Sequence, residues 1–264
     1  MLLTPYKYTN PFASGRGGSN DFNPLNYNPY NIWDSENATI VGTTTTWLDY
    51  NNVGVKYNLV NPTPDNQPTL VSGDVDFNGI DSFSFDGIND FVNNGSVIDY
   101  RASDSSGSFY FVFRTGADVT TTQVIFNAKK PSVSTEYFLI SLSSGKISCS
   151  IRSSLSTIAN VLTTTTTTLL PNTNYVLRFT SIDTAYQIEL NGIDQAFNVS
   201  GVSGTAGFND GKWFSEIGGL LDTIAIGSQS FVGFEFPFNG KITFAGYYPV
   251  LSESDNAALF GNLI

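Results

Sequence analysis

The chain contains no histidine. A Ser-His-Asp or Cys-His triad is therefore out of reach, as is any zinc site built on imidazole. It contains a single cysteine, Cys149, so no internal disulfide can form. In "KISCSIR" Cys149 alternates with Ile147 and Ile151, which is the setting of an inert core residue rather than a nucleophile. Charge is scarce as well: Asp, Glu, Lys and Arg make up 13% of the 264 residues, against about a quarter in an ordinary soluble domain. Cations are the scarcer sign, with 12 Lys and Arg against 23 Asp and Glu and a formal net charge of −11. Such a surface repels phosphate backbones and anionic headgroups, which argues against nucleic acid and membrane-surface partners. No apolar run approaches the roughly 18 residues of a membrane-spanning helix, so no membrane insertion is expected. The opening "MLLTPYKYTNPFASGRGG" lacks a basic region followed by an apolar stretch, so no signal peptide is expected either. The glycine motifs that cradle phosphates, G-x-x-x-x-G-K-[ST] and G-x-G-x-x-G, are missing, and no cofactor is expected.

What is present points to β-structure. Hydrophobic residues make up 41% of the chain and aromatics 14%, enough for a large core. The length fits one large β-sandwich or two small domains. In "SFYFVFRT", Phe109, Phe111 and Phe113 share one face, with Tyr110, Val112 and Arg114 on the other. "YVLRF" (175–179), "YQIELNG" (186–192) and "KITFAGYY" (241–248) repeat this period of two, the mark of strands with one buried face. Asn-Gly pairs at 78–79, 94–95, 191–192 and 239–240 read as hairpin turns, since both residues tolerate positive φ. The threonine runs at 43–46 and 163–168 suit strands. One helix is expected, in "LSESDNAALFGNLI" (251–264), with Ser252 as N-cap and Asp255 three residues on.

Residues 1–30 differ from the rest. Pro5, Pro11, Pro24 and Pro29 interrupt every element there, and "SGRGGSN" is a hinge by composition. Tyr6, Tyr8, Phe12, Phe22, Tyr27 and Tyr30 are nevertheless too aromatic for an idle linker. The segment reads as an extended arm that either wraps over its own domain or orders against another subunit.

From residue 31 onward the landmarks "NIWD", "TWLDYNN", "QPTLV", "FSFDGINDFV", "FYFVFRT", "ELNG" and "FNGKITFAGYYPVLSESDNAAL" follow in order. Their series resembles the laminin-G-like, concanavalin A-like lectin/glucanase superfamily, in the form common in bacterial and phage proteins. Phe85-Asp86-Gly87, Asn191-Gly192, Phe238-Asn239-Gly240-Lys241 and Leu251-Ser252-Glu253 are the most specific marks. The resemblance implies a jelly-roll of two antiparallel sheets with Trp33 and Trp47 at core positions. It also implies a superfamily dominated by carbohydrate and protein recognition that includes glycosidases. Glucanases of this fold carry Glu-x-Asp-x-x-Glu on one strand. Here Glu253-Ser254-Asp255 is the nearest match, with Ala258 in place of the last glutamate and a helix in place of the strand. Glu36, Glu136, Glu189, Glu216 and Glu235 stand alone, so no carboxylate pair for hydrolysis is expected.

"DVDFNGIDSFSFDGIND" (74–90) opens like a calcium loop. Such a loop takes carboxylates at its first, third and fifth positions, glycine at the sixth and a bidentate glutamate at the twelfth. Counted from Asp74 the twelfth residue is Phe85, so Asp74, Asp76 and Asn78 read as hairpin punctuation and no metal site is expected. Family members sometimes carry calcium in a sandwich loop, where Asp81, Asp86 and Asp90 are the alternative. Binding fits better than catalysis. A sugar site needs an exposed aromatic beside amides and carboxylates, and "SGTAGFNDGKWFSEIGG" (203–219) gathers Phe208, Asn209, Asp210 and Trp213 in one long glycine-rich loop. The other reading of that loop is a core plug formed by Trp213 and Phe214. One of Tyr247 and Tyr248 is expected to be exposed.

The expected protein is thus all-β: a two-sheet antiparallel jelly-roll sandwich, concanavalin A-like, over 31–264, with an extended arm over 1–30 and one short C-terminal helix. The expected role is a non-catalytic virion surface protein of a phage, a decoration, fibre or spike subunit that binds a host-surface glycan. Its expected partners are other virion proteins, reached through the arm, and further copies of itself. A secreted bacterial carbohydrate-binding module or adhesin is the alternative, and a glycoside hydrolase ranks behind both.

Overall fold

The computed structural model describes residues 24–42, 44–49, 57–97, 100–130, 136–152, 159–164, 167–182, 185–201, 211–217, 221–230 and 234–263. In chain order the strands are β1 (Asn31–Val41), β2 (Thr44–Asp49), β3 (Leu59–Asn61), β4 (Thr69–Asp74), β5 (Ile80–Asp86), β6 (Val92–Asn94), β7 (Gly107–Thr115), β8 (Gln123–Lys129), β9 (Tyr137–Ser143) and β10 (Lys146–Arg152). There follow β11 (Ala159–Thr164), β12 (Asn174–Ser181), β13 (Tyr186–Leu190), β14 (Ile193–Asp194), β15 (Phe197–Gly201), β16 (Thr223–Ile226), β17 (Gln229–Ser230), β18 (Phe234–Glu235), β19 (Asn239–Tyr248) and the helix α1 (Glu253–Leu263).

Antiparallel pairing builds two layers. One runs β4-β5-β19-β7-β12-β13-β14. The other runs β2-β3-β6-β16-β8-β9-β10-β11-β15. Strand β1 belongs to both: Asn31–Asp34 pair with β19, the register shifts between Trp33 and Ala38, and Ala38–Val41 pair with β2. A bulged strand that changes sheets in this way closes the corner of a sandwich.

The period of two is realised directly. Phe109, Phe111 and Phe113 of β7 enter the main core with Trp33, Trp47 and Cys149, whose thiol pKa is pushed up by burial. The opposite face is also covered, because Tyr110 and Val112 join Phe244 and Tyr248 under Leu259, Phe260 and Leu263 of α1. Tyr247 and Tyr248 are therefore both buried, one in the main core and one beneath the helix, which corrects the expectation that one would be exposed. The helix starts as its sequence predicts: the Ser252 hydroxyl accepts from Asp255 N at 3.1 Å and donates to the Asp255 carboxylate at 2.8 Å.

The last part of the expected arm is docked on its own sandwich. Pro24–Tyr27 forms a 3-10 turn whose Leu25 and Tyr27 pack on the α1 cluster. Tyr30 N donates to Tyr247 O at 2.7 Å, and the Arg101 guanidinium lies 3.6 Å above the Tyr30 ring. Residues 1–23, which hold Tyr6, Tyr8, Phe12 and Phe22, lie outside the described residues.

Asn78-Gly79 and Asn191-Gly192 adopt positive φ, as turns require. Asn239-Gly240 does not turn. It opens β19, opposite Asp86 and Phe85 of β5, and Gly240 is needed because any side chain there would collide with the Arg114 carbonyl.

Candidate functional site

Trp213 is no stacking platform. It is fully buried, its Nε1 donates to the Tyr247 hydroxyl at 2.9 Å, and its ring stacks on Phe179 at 5.5 Å and meets Phe138 edge-on at 5.0 Å. Phe214 is buried beside it, so the core-plug reading of this loop holds and a ligand role for Trp213 is corrected. The physical reason is that the indole finds both a hydrogen-bond acceptor and a ring of aromatics inside the sandwich. Phe208, Asn209 and Asp210 lie outside the described residues.

The head of the aspartate-rich stretch is neutralised by cations from neighbouring strands. Asp74 caps the 3-10 turn Val75–Phe77 by accepting from Asp76 N at 3.0 Å, and Asn78 ends that turn in the left-handed region. Lys241 Nζ reaches Asp74 at 3.0 Å and Asp76 at 2.6 Å, while Arg114 pairs with Asp76 at 3.4 Å. Burial raises the Asp74 pKa, but hydrogen bonds from Ser82 and Lys241 outweigh it and leave the carboxyl below its ordinary value. These carboxylates hold two side-chain cations where the calcium reading put a metal. Further along, Asp86 Oδ1 accepts from Ile88 N at 2.7 Å and Asp90 Oδ2 from Asp86 N at 2.8 Å, which makes Asp86–Asp90 a self-bonded turn.

Beside that turn the structure opens. The end of β5, the β7–β8 connection and the start of β19 converge on a pocket of about 320 Å³. Asn239 forms its floor. Its N donates to Gln123 Oε1 at 2.9 Å, its O accepts from Gly116 N at 2.9 Å, and its Nδ2 donates to Asp86 O at 3.1 Å. Gly87 and Gly116 make room for it: a Cβ at 87 would lie 2.7 Å from Asn239 Nδ2, and one at 116 would collide with Asn239 Oδ1. Gln123, itself buried, also donates to Asp118 O at 2.7 Å and so ties the floor to the wall.

The wall carries the charge. Asp118 Oδ1 accepts from Thr120 N at 2.7 Å, from the Thr120 hydroxyl at 2.8 Å and from Thr121 N at 3.3 Å, while the Thr121 hydroxyl donates to Oδ2. The Thr121 hydroxyl, followed by the Thr120 amide, holds the Asp118 carboxyl well below the usual carboxylate range, so it stays ionised. The rim is aromatic. Phe236 sits at φ 54° with 45% of its surface exposed, and its carbonyl is fixed by Val124 N at 2.8 Å. A left-handed backbone is rare for a bulky residue, and here it turns the ring outward ahead of Pro237. An exposed ring, a fixed amide and a fixed carboxylate around one cavity can bind a polyol with an apolar face. Among the described residues Asp118 is the one acid in the lining.

Sequence reasoning passed over Phe236, Asp118 and Gln123. Asn239-Gly240 stood out but read as a turn, and the one local signal for Phe236 is an aromatic directly before a proline in "FEFPFNG".

No protein-family model matches the chain, and no curated protein matches it in sequence. Solved structures match it in fold. A mutant NanB sialidase from Streptococcus pneumoniae has a TM-score of 0.52 at 18% identity, over 67% of this chain and 27% of that one. Trypanosoma rangeli sialidase in complex with a difluoro-nononic acid has a TM-score of 0.55 at 12% identity, over 93% of this chain and 34% of that one. The CBM40 of Ruminococcus gnavus IT-sialidase bound to sialyllactose gives 0.47 at 17% identity, over 59% of this chain and 82% of that one. What is shared is the fold. The chain spans about a quarter to a third of the length of the two larger proteins, at 27% and 34%.

Proposed function

We propose that the protein is a non-catalytic, concanavalin A-like glycan-binding sandwich displayed on a phage particle as a decoration, fibre or spike subunit, with its sugar site at the Phe236 pocket. The observation that carries the glycan reading is Phe236, an exposed aromatic ring beside the fixed Asn239 amide and Asp118 carboxylate. Two structures that share this fold over 27% and 34% of their own length belong to sialidases, proteins that act on sugars, and this supports the glycan reading. The non-catalytic reading is motivated by a chain without histidine and by a pocket in which one acid lines the wall among the described residues. Asp255, in the nearest match to a glucanase motif, is engaged in capping α1. The virion role rests on the sparse charge and the aromatic, proline-broken segment 1–23, which would dock on neighbouring virion proteins or further copies of the chain. A secreted bacterial carbohydrate-binding module is the second reading, favoured by the bacterial sialidase in which a comparable unit fills 27% of the chain.

A glycan array probed with the full chain and with Phe236→Ala tests the binding claim. Wild-type signal that the variant loses supports it; no signal from folded protein, or equal signal from both, contradicts it. Reducing-sugar release from any bound glycan, lost on mutating one acid, would contradict the non-catalytic claim.

A further inference from the structure

The pocket also carries a charge preference. Six of the nine cations among the described residues are paired elsewhere: Lys241 and Arg114 with Asp74 and Asp76, Arg178 with Glu189, Arg101 with Asp104, Lys130 with Glu136 and Lys212 with Glu216. The other three, Lys129, Lys146 and Arg152, are not in the lining of the pocket. Among the described residues no Lys or Arg lines the pocket. Its one charged lining group is Asp118, held by two main-chain amides and two hydroxyls of Thr120 and Thr121. Asp86 contributes a second acid nearby, its carbonyl bonded to the Asn239 amide. The whole chain adds a net charge of −11. A ligand carboxylate entering here would meet a fixed like charge with no described cation in the wall to neutralise it, and like charges a few ångströms apart repel even across water. Hydroxyls, by contrast, find the Asn239 amide and the threonine hydroxyls of the wall, and a pyranose ring face finds Phe236.

We infer that the Phe236 pocket takes a neutral pyranose and excludes sugars that bear a carboxylate, such as sialic and uronic acids. This rests on the glycan-binding reading above, and it sets the protein apart from the fold relative that holds a nononic acid.

The test uses a paired array, with neutral galactose- and glucose-terminated chains printed beside the same chains capped with sialic acid or glucuronic acid. It is probed with full-length wild type, Phe236→Ala and Asp118→Asn, each first shown to be folded by its melting curve. Asparagine keeps the acceptor oxygen that the Thr120 and Thr121 amides use, so Asp118→Asn preserves the turn. Binding is expected in the neutral half, lost in Phe236→Ala, and about fivefold weaker for the acidic partners. Asp118→Asn is expected to raise the ratio of acidic to neutral binding by about fivefold. If acidic chains bind as well as neutral ones and depend on Phe236, the charge inference falls while the glycan reading stands. If folded protein binds neither half, or binds without need of Phe236, the glycan reading falls and takes the inference with it.

Discussion

Two aromatic-bearing segments, 211–217 and 236–238, end up opposite in the structure. Trp213 goes in because the core offers its indole an acceptor in Tyr247 and ring partners in Phe138 and Phe179. Phe236 stays out because the neighbouring core seat is taken by Phe238, whose ring meets Phe85 at 5.8 Å and Phe113 at 6.3 Å. The left-handed backbone at Phe236 breaks the alternation of "FEFPF" and sends the two rings to different sides. Loop composition therefore does not decide which aromatic is available to a ligand. Backbone conformation and competition for core space do.

The sharpest way to break this contrast is to truncate both rings. Trp213→Ala should cost about 3–5 kcal/mol of unfolding free energy, as for a buried indole, whereas Phe236→Ala should stay within about 0.5 kcal/mol. Chemical denaturation of the two variants checks it, and similar losses would mean that both rings are structural. Next in size, Gly116→Ala should cost about 1–3 kcal/mol and abolish glycan binding, because the added methyl collides with Asn239 Oδ1 and forces the pocket floor to move. Urea unfolding alongside the array reads both effects.

Smaller again is a pH effect in the Asp86–Asp90 turn. Burial, offset in part by the Asp86 amide, raises the Asp90 carboxyl to about 6. A raised folded-state pKa means that its contribution to stability is complete below the unfolded value, near 4, and is lost as pH rises through about 6. Stability should therefore increase by about 1 kcal/mol between pH 7 and pH 5, and Asp90→Asn should flatten that rise. A flat wild-type profile over this range would contradict it. Smallest of all, chelator should leave the melting temperature unchanged, since Asp74 and Asp76 are already neutralised by Lys241 and Arg114. A drop of several degrees that calcium restores would show that a metal had been missed.

Much of the fold was legible because it follows from local period and turn chemistry. The alternation in β7, β12, β13 and β19, the turns at Asn78-Gly79 and Asn191-Gly192, and the Ser252 cap each depend on residues within one element. The pocket was not legible, because it is assembled from three distant segments. Gln123, Asn239 and Gly116 meet only through cross-sheet hydrogen bonds, and nothing near Asp118 in the sequence announces Phe236. Asn239-Gly240 illustrates the loss: the same pair that makes a turn at 191–192 here opens a strand, its glycine serving close approach to the Arg114 backbone. One of Tyr247 and Tyr248 was expected to be exposed because alternation alone does not show that α1, which follows β19 within five residues, folds back over the outer face and covers Tyr248.

The most direct test of where a ligand sits is hydrogen–deuterium exchange on the full chain, with and without a glycan taken from the array. Added protection is expected over 116–123 and 236–240, with none over 211–217, where Trp213 and Phe214 are already sealed in the core. Protection at 203–217 with none around Phe236 would return the site to the Trp213 loop and contradict the contrast drawn between the two.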